Sequence, residues 1–355
     1  MQVCRRWCRS RVAGSRSHSE GRPRSIHARQ PCHRRERGGN LLRAEGRRLH
    51  TTGYTESTEH YPTVYYLPGW SGGESLGNSG PRALDAAIEA GELPPVIVVG
   101  VSGSVRPVQG IMFVSSLQFG DWEGYLIDEL IPWVDSNYRT IPDWRKRALT
   151  GWSAGGYSAL LLPLLRPEVW GAMGANDPWT SSGCDRGAVQ VRELAELLPI
   201  LGTTSHRDIQ FAARIAPNPD SPLGFDQPRN LAEARDAEIW DEWKLTFCLR
   251  NGDAIAGYRE ELAKLSSIVF VSPLETSGTN TSLNNTVIAE MVDAGADVTR
   301  LDMPGNHTTD AAGRFLAIAQ QVVPAMNAVD IVEPGTAVRA RGKLATTWAS
   351  LRSGS

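Results

Sequence analysis

Two stretches of this chain set a serine between glycines, in surroundings that could turn a hydroxyl into a nucleophile. The first is Gly151-Trp152-Ser153-Ala154-Gly155-Gly156. Arg147-Ala-Leu-Thr150 before it has strand character, and Tyr157-Ser-Ala-Leu-Leu-Leu after it reads as helix. A tight strand-to-helix turn lifts a serine side chain onto a strained, exposed apex. Small residues two before and two after it let neighbouring backbone pack closely, and the helix N-terminus brings positive potential to a developing oxyanion. The second is Gly69-Trp70-Ser71-Gly72-Gly73, which also follows a strand-like run, Thr63–Leu67. Residues 72–80 contain four glycines, however, and no apolar helix starts until about Arg82. That reads as a Gly-rich loop offering backbone N–H groups. Ser153 is therefore the expected nucleophile, and the backbone N–H groups of Trp70 and Ala154 are the expected oxyanion donors.

A serine needs a base, and in this chain order the base is a histidine C-terminal to it. Past residue 50 the histidines are His60, His206 and His307. His60 precedes the first core strand and His206 falls in an irregular stretch. His307 follows Asp302-Met-Pro-Gly-Asn306, in the loop between the last strand and the last helix, and is the expected general base. The acid that orients it is expected at Glu275, just beyond the strand at 268–271. Asp177, in Asn176-Asp177-Pro178-Trp179, is the alternative, and Asp253 a further one. Trp152 and Trp179 fall on loops beside this constellation and are candidates to line a substrate pocket. Chemistry of this kind calls for no metal ion and no organic cofactor.

The elements that must hold these residues alternate in type. Strands are expected at Thr63–Leu67, Pro95–Gly100, Arg147–Gly151, Gly171–Ala175, Ile268–Val271 and Val298–Met303. Helices are expected at Trp122–Asn137, from Tyr157 to about Arg166, at Asn285–Ala294 and from Ala311 to Val323 before Pro324. Strand–helix alternation of this sort gives a mostly parallel central sheet with helices on both faces. The catalytic domain is expected over 55–330, with an irregular insertion at about 180–245 and a loose tail over 331–355.

Residues 1–50 differ from all of this. They hold 14 Arg and three Glu, a net +11, so the remainder carries −13 against the chain's −2. An acidic body argues against a nucleic-acid partner. The basic segment lacks hydrophobic periodicity and is expected to be a disordered extension. Its Arg- and Ser-rich, acid-poor composition also fits an organellar targeting segment, but no apolar stretch follows as in a secretory signal. No run reaches the roughly 18 apolar residues of a membrane span, which leaves the cytoplasm as the default compartment. Of the five cysteines, Cys4, Cys8 and Cys32 lie in this segment, which leaves Cys184 and Cys248 in the body and implies no disulfide framework. Nothing in the pattern speaks to oligomeric state.

Four stretches resemble the putative-esterase family of α/β hydrolases, which includes esterase D, enterochelin and feruloyl esterases and the antigen 85 mycolyltransferases. They are Tyr65-Tyr-Leu-Pro-Gly-Trp-Ser-Gly-Gly73, Trp133-Val-Asp-Ser-Asn-Tyr-Arg-Thr140, the segment from Arg147 to Leu160, and Pro304-Gly-Asn-His307. The resemblance covers roughly residues 60–325. It implies an α/β-hydrolase fold and a serine carboxylic-ester hydrolase acting on a small-molecule ester through an acyl-enzyme on Ser153. Acyl transfer from the same site, or a degenerate hydrolase fold used for binding, are the alternatives. The chain departs from the family in three ways: Pro68-Gly69 replaces the usual His-Gly, the stretch around the acid reads Ser272-Pro-Leu-Glu275, and no N-terminal pair of strands is evident.

Overall fold

Runs rich in β-branched residues build the centre of the molecule. In the computed structural model, residues 26–28 and 54–331 are described, except 75, 77–78, 104–110, 116–119, 181–213, 219, 222–224, 227–231 and 276–278. The strands are β1 (Ile26–Ala28), β2 (Thr63–Leu67), β3 (Ile97–Val101), β4 (Arg147–Trp152), β5 (Ala172–Asn176), β6 (Ile268–Pro273) and β7 (Val298–Met303). They form one sheet in the order β1-β3-β2-β4-β5-β6-β7, and every pairing is parallel. β2 to β5 are buried on both faces, as expected of parallel strands under helices.

The helices are α1 (Gly80–Glu89), α2 (Trp122–Gly124), α3 (Ile131–Asn137), α4 (Ala154–Leu165), α5 (Ala234–Phe247), α6 (Gly252–Gly257), α7 (Arg259–Leu262), α8 (Thr279–Asp293) and α9 (Ala311–Ala328). α2 and α3 are joined by a π-helical stretch, Tyr125–Leu130. The two sheet faces bury different helices. On one side Tyr65, Leu67, Leu149, Met173 and Phe270 pack with Trp122, Leu126, Tyr157 and Leu161. On the other Val64, Tyr66, Ala148, Ala172 and Val269 pack with Leu84, Phe315, Ile318 and Val322 of α1 and α9. Alternate strand residues thus serve opposite layers. α4 is buried almost all round, which fits a helix apolar on every side.

The expected fold class is what is found, with local differences. β1 lies inside the basic segment, where no strand was expected; its partner β3 is β-rich and supplies the pairing edge. The rest of 1–50, with Cys4, Cys8 and Cys32, lies outside the described residues, as do most of the expected insertion and the tail beyond 331. Most of α5 occupies ground that reads as irregular in sequence. Residues 234–247 are weakly patterned, so their periodicity gives little signal. α8 starts six residues before the expected Asn285, through polar residues of low helix propensity. α9 runs on through Pro324 to Ala328. Val322, Val323 and Met326 are buried there, and Lys146 Nζ donates to the carbonyls of Met326 at 2.7 Å and Val329 at 2.6 Å. Packing and that cationic cap at a helix C-terminus offset the lost proline N–H. Cys248, just after α5, is disulfide-bonded, a link the cysteine count alone did not imply. No helix among the described residues is long and apolar enough to cross a membrane.

Candidate active site

Strand order decides where a site can form. The chain runs from β2 outward to β3, then crosses back to β4 on the other side of β2. The C-terminal ends of β2 and β4 therefore meet at a topological switch point, where parallel sheets open a crevice. Leu67 pairs with Gly151, so the two Gly-Trp-Ser stretches leave the sheet side by side.

At the end of β4, Ser153 takes φ 55° and ψ −116°, a left-handed conformation rare for a residue with a side chain. The turn is held by its surroundings. Ser153 N–H donates to the Asn176 carbonyl at 3.0 Å, and its carbonyl accepts from Trp179 at 2.9 Å and Tyr157 at 3.0 Å. The flanking glycines leave no room for a methyl group. A Cβ on Gly155 would lie 2.3 Å from the carbonyl oxygens of Leu67 and Pro68, and one on Gly151 would lie 2.3 Å from the Gly155 carbonyl oxygen. α4 begins at the next residue. A tight strand-to-helix turn with Ser153 at its apex is thus present.

The 68–73 loop lies against this turn. A Cβ on Gly69 would be 2.9 Å from Trp152 Cε3 and 3.4 Å from Ser153 Cβ. Trp70 is half-buried on this loop, next to Gly69. Ser71 is exposed, and its hydroxyl donates to its neighbour's carbonyl, Trp70 O, at 2.7 Å.

His307 comes from the loop after β7, as expected. Its Nδ1 lies 2.5 Å from Asp177 Oδ2. Asp177 is completely buried and His307 is 32% exposed, so the ring spans the interior and the surface. A carboxylate only accepts, so Nδ1 carries the hydrogen and Nε2 is left as the acceptor. The Trp152 indole N–H donates to the His307 carbonyl at 2.9 Å, and the two rings lie 5.2 Å apart. From below, Arg314 of α9, fully buried, donates to the carbonyls of Asn306 at 2.8 Å and Pro304 at 2.7 Å. Burial pulls its guanidinium below the ordinary value, against the opposing charges of Asp177, Asp310 and Glu275.

The carboxylate beside His307 is therefore Asp177, the alternative, and Glu275 does not take that place. After β6 the chain stays paired: Leu274 N–H donates to the Met303 carbonyl at 2.9 Å and Glu275 N–H to Gly305 at 3.0 Å. This continuation of the ladder keeps Glu275 on the surface. β5 instead ends in a sharp turn, with Asp177 at φ 39° and its N–H donating to the Val271 carbonyl at 2.9 Å. That turn faces β4 directly. Asp253 sits in the first turn of α6, whose N-cap Asn251 accepts its N–H. Trp152 and Trp179 are both half-buried beside Ser153. Sequence reading missed Arg314, Asn284 and Thr180, which support the site from other elements. The buried polar positions of α8 and α9 carry no motif that would single them out.

The architecture is that of the α/β-hydrolase fold. Residues 49–186, which hold both Gly-Trp-Ser stretches, match the model of the family described as Esterase, putative esterase. An endo-1,4-beta-xylanase/feruloyl esterase of Xylanibacter ruminicola is 35% identical over 120 residues, which are 33% of this chain and 16% of that protein. An esterase of Mycobacterium tuberculosis is 29% identical over 111 residues, 30% of this chain and 23% of that one. The chain thus spans less than a quarter of the length of these relatives. A solved ferulic acid esterase superposes with a TM-score of 0.53 at 14% identity, covering 77% of this chain and 89% of the other, a likeness of fold.

Proposed function

We propose that this chain is a carboxylic-ester hydrolase that works through an acyl-enzyme on Ser153. The observation that carries the reading is the 2.5 Å contact between His307 Nδ1 and the buried Asp177 carboxylate, on strand ends beside the Ser153 elbow. With Nδ1–H committed to Asp177, Nε2 takes the Ser153 proton as Oγ attacks the ester carbonyl. The backbone N–H groups of Trp70 and Ala154 meet the oxyanion, each worth about 3 kcal/mol of barrier. The imidazolium returns the proton to the leaving alkoxide, and water then attacks the acyl-enzyme with the same ring as base. Asp177 stabilises the imidazolium through both steps.

The acyl group is proposed to be aromatic. Two half-buried tryptophans adjoin Ser153, Trp152 as its chain neighbour and Trp179 through its N–H, which donates to the Ser153 carbonyl at 2.9 Å, and one matching relative is named for feruloyl esterase activity. A fluorophosphonate probe followed by peptide mapping tests the reading. The expected adduct is on Ser153, blocked by prior incubation with a methyl hydroxycinnamate. Labelling of Ser71 instead, or no labelling of folded protein, would overturn it.

A further inference from the structure

His307 uses only one oxygen of Asp177. The other, Oδ1, faces Asn284 Nδ2 at 3.2 Å. Asn284 is completely buried on α8, 107 positions further along the chain. Its amide oxygen accepts from the Thr180 hydroxyl at 2.8 Å. Thr180 is buried as well, and its carbonyl accepts from Arg250 Nε at 3.2 Å.

This arrangement leaves the amide one way to face. A carboxylate offers no hydrogen, so the NH₂ end must meet Asp177, and the hydroxyl then supplies the hydrogen that the amide oxygen needs. A reversed amide would set one oxygen against another. The donor is also neutral. A cation in the same place would cancel the charge of Asp177 and weaken its hold on an imidazolium, whereas an amide fixes the geometry and leaves the charge in place. Asp177 needs such fixing. It stands at a positive φ, a conformation that persists only where the surroundings over-determine it.

We propose that Asn284, oriented by Thr180, is a positioning residue that locks the Asp177 carboxylate against His307. The proposal rests on the Ser153–His307–Asp177 reading above. Asn284 acts through Asp177 and touches no reacting atom, so its loss lowers kcat and spares KM. The same loss frees the carboxylate to rotate, which weakens the His307 Nδ1–H hydrogen bond.

The test compares the full chain with Asn284→Leu, Thr180→Val and Thr180→Ser. Steady-state hydrolysis of a p-nitrophenyl ester is measured on protein whose thermal midpoint shows it folded, alongside the far-downfield proton resonance of the His307 Nδ1–H. Asn284→Leu is expected to lower kcat by about 10- to 100-fold, the range for partners that orient a functional group, with KM changed less than about threefold. The downfield resonance should vanish or move upfield. Thr180→Val should fall in between, and Thr180→Ser should restore both readouts. A folded Asn284→Leu with unchanged kcat and resonance would overturn the proposal and leave the triad standing. Thr180→Ser no better than Thr180→Val would remove the orienting role of Thr180. Should Asn284→Leu not fold, the two Thr180 variants decide. A wild-type protein without Ser153-dependent hydrolysis would take down both readings together.

Discussion

Gly69-Trp70-Ser71-Gly72-Gly73 and Gly151-Trp152-Ser153-Ala154-Gly155 are nearly the same sentence written twice. They leave adjacent, paired strands, and their serines share a positive φ, 56° at Ser71 and 55° at Ser153. Their surroundings differ completely. Ser153 is 7% exposed and opens a buried helix. Ser71 is exposed and spends its hydroxyl on its own neighbour's carbonyl. The closing glycines differ likewise. A Cβ at Gly155 would strike two carbonyl oxygens at 2.3 Å, while one at Gly73 would meet nothing within 4 Å. A serine at positive φ is thus common to both turns, while the buried helix behind it, and an imidazole packed on the neighbouring tryptophan, belong to one.

The sharpest way to break that comparison is to delete each hydroxyl. Ser153→Ala should lower kcat for short p-nitrophenyl esters by about 10⁴-fold or more, and His307→Ala by a similar factor, because members of a triad act as a unit. Ser71→Ala should stay within about twofold. Equal losses at the two serines would abolish the distinction between them.

The acid gives the next largest contrast. Asp177→Asn should lower kcat by about 10³- to 10⁴-fold, since the amide favours the wrong imidazole tautomer. Glu275→Gln should retain activity within about threefold. Stopped-flow acylation at saturating substrate reads this directly, and a large loss at Glu275 would return it to the mechanism.

Smaller effects should appear in stability. Gly155→Ala forces backbone apart and is expected to cost about 1–3 kcal/mol, as overpacking does, whereas Gly73→Ala should be nearly silent in the same urea titration. The smallest effect concerns Asp85 on α1. Burial, with Glu89 nearby, pushes its carboxyl up to about 6 from the ordinary 3.8. The folded state therefore holds this proton more tightly than the unfolded one, and stability falls as pH rises from 3.8 to about 6. Asp85→Asn should raise the thermal midpoint by about 1–3 °C at pH 7.5 and leave it unchanged near pH 3.

Much of this is legible in the amino-acid sequence alone. Strand–helix alternation fixed the class of fold, and the texture on either side of Ser153 separated it from Ser71. His307 followed from chain order and from its loop. Asp177 was harder, because a carboxylate motif says nothing of how far a strand stays paired. β6 continues pairing as far as Glu275 and keeps it at the surface, while β5 stops and turns. A strand end next to the strand that leads into Ser153 is the available signal. Asn284, Thr180 and Arg314 were illegible for a plainer reason. Each is a polar residue of ordinary type whose burial arises only when distant elements close over it.

Arg314 and Lys146 hold the last helix at its two ends, one through the carbonyls of the histidine loop and the other through the carbonyls at the helix terminus. Seen along the direction of synthesis, His307 is the last of the three residues to arrive. A nascent chain that has emerged only to residue 300 already contains the serine and the carboxylate but no imidazole to join them. If the proposed chemistry is this chain's work, it starts only when α9 docks, and the growing polypeptide stays silent toward esters until the sheet is covered.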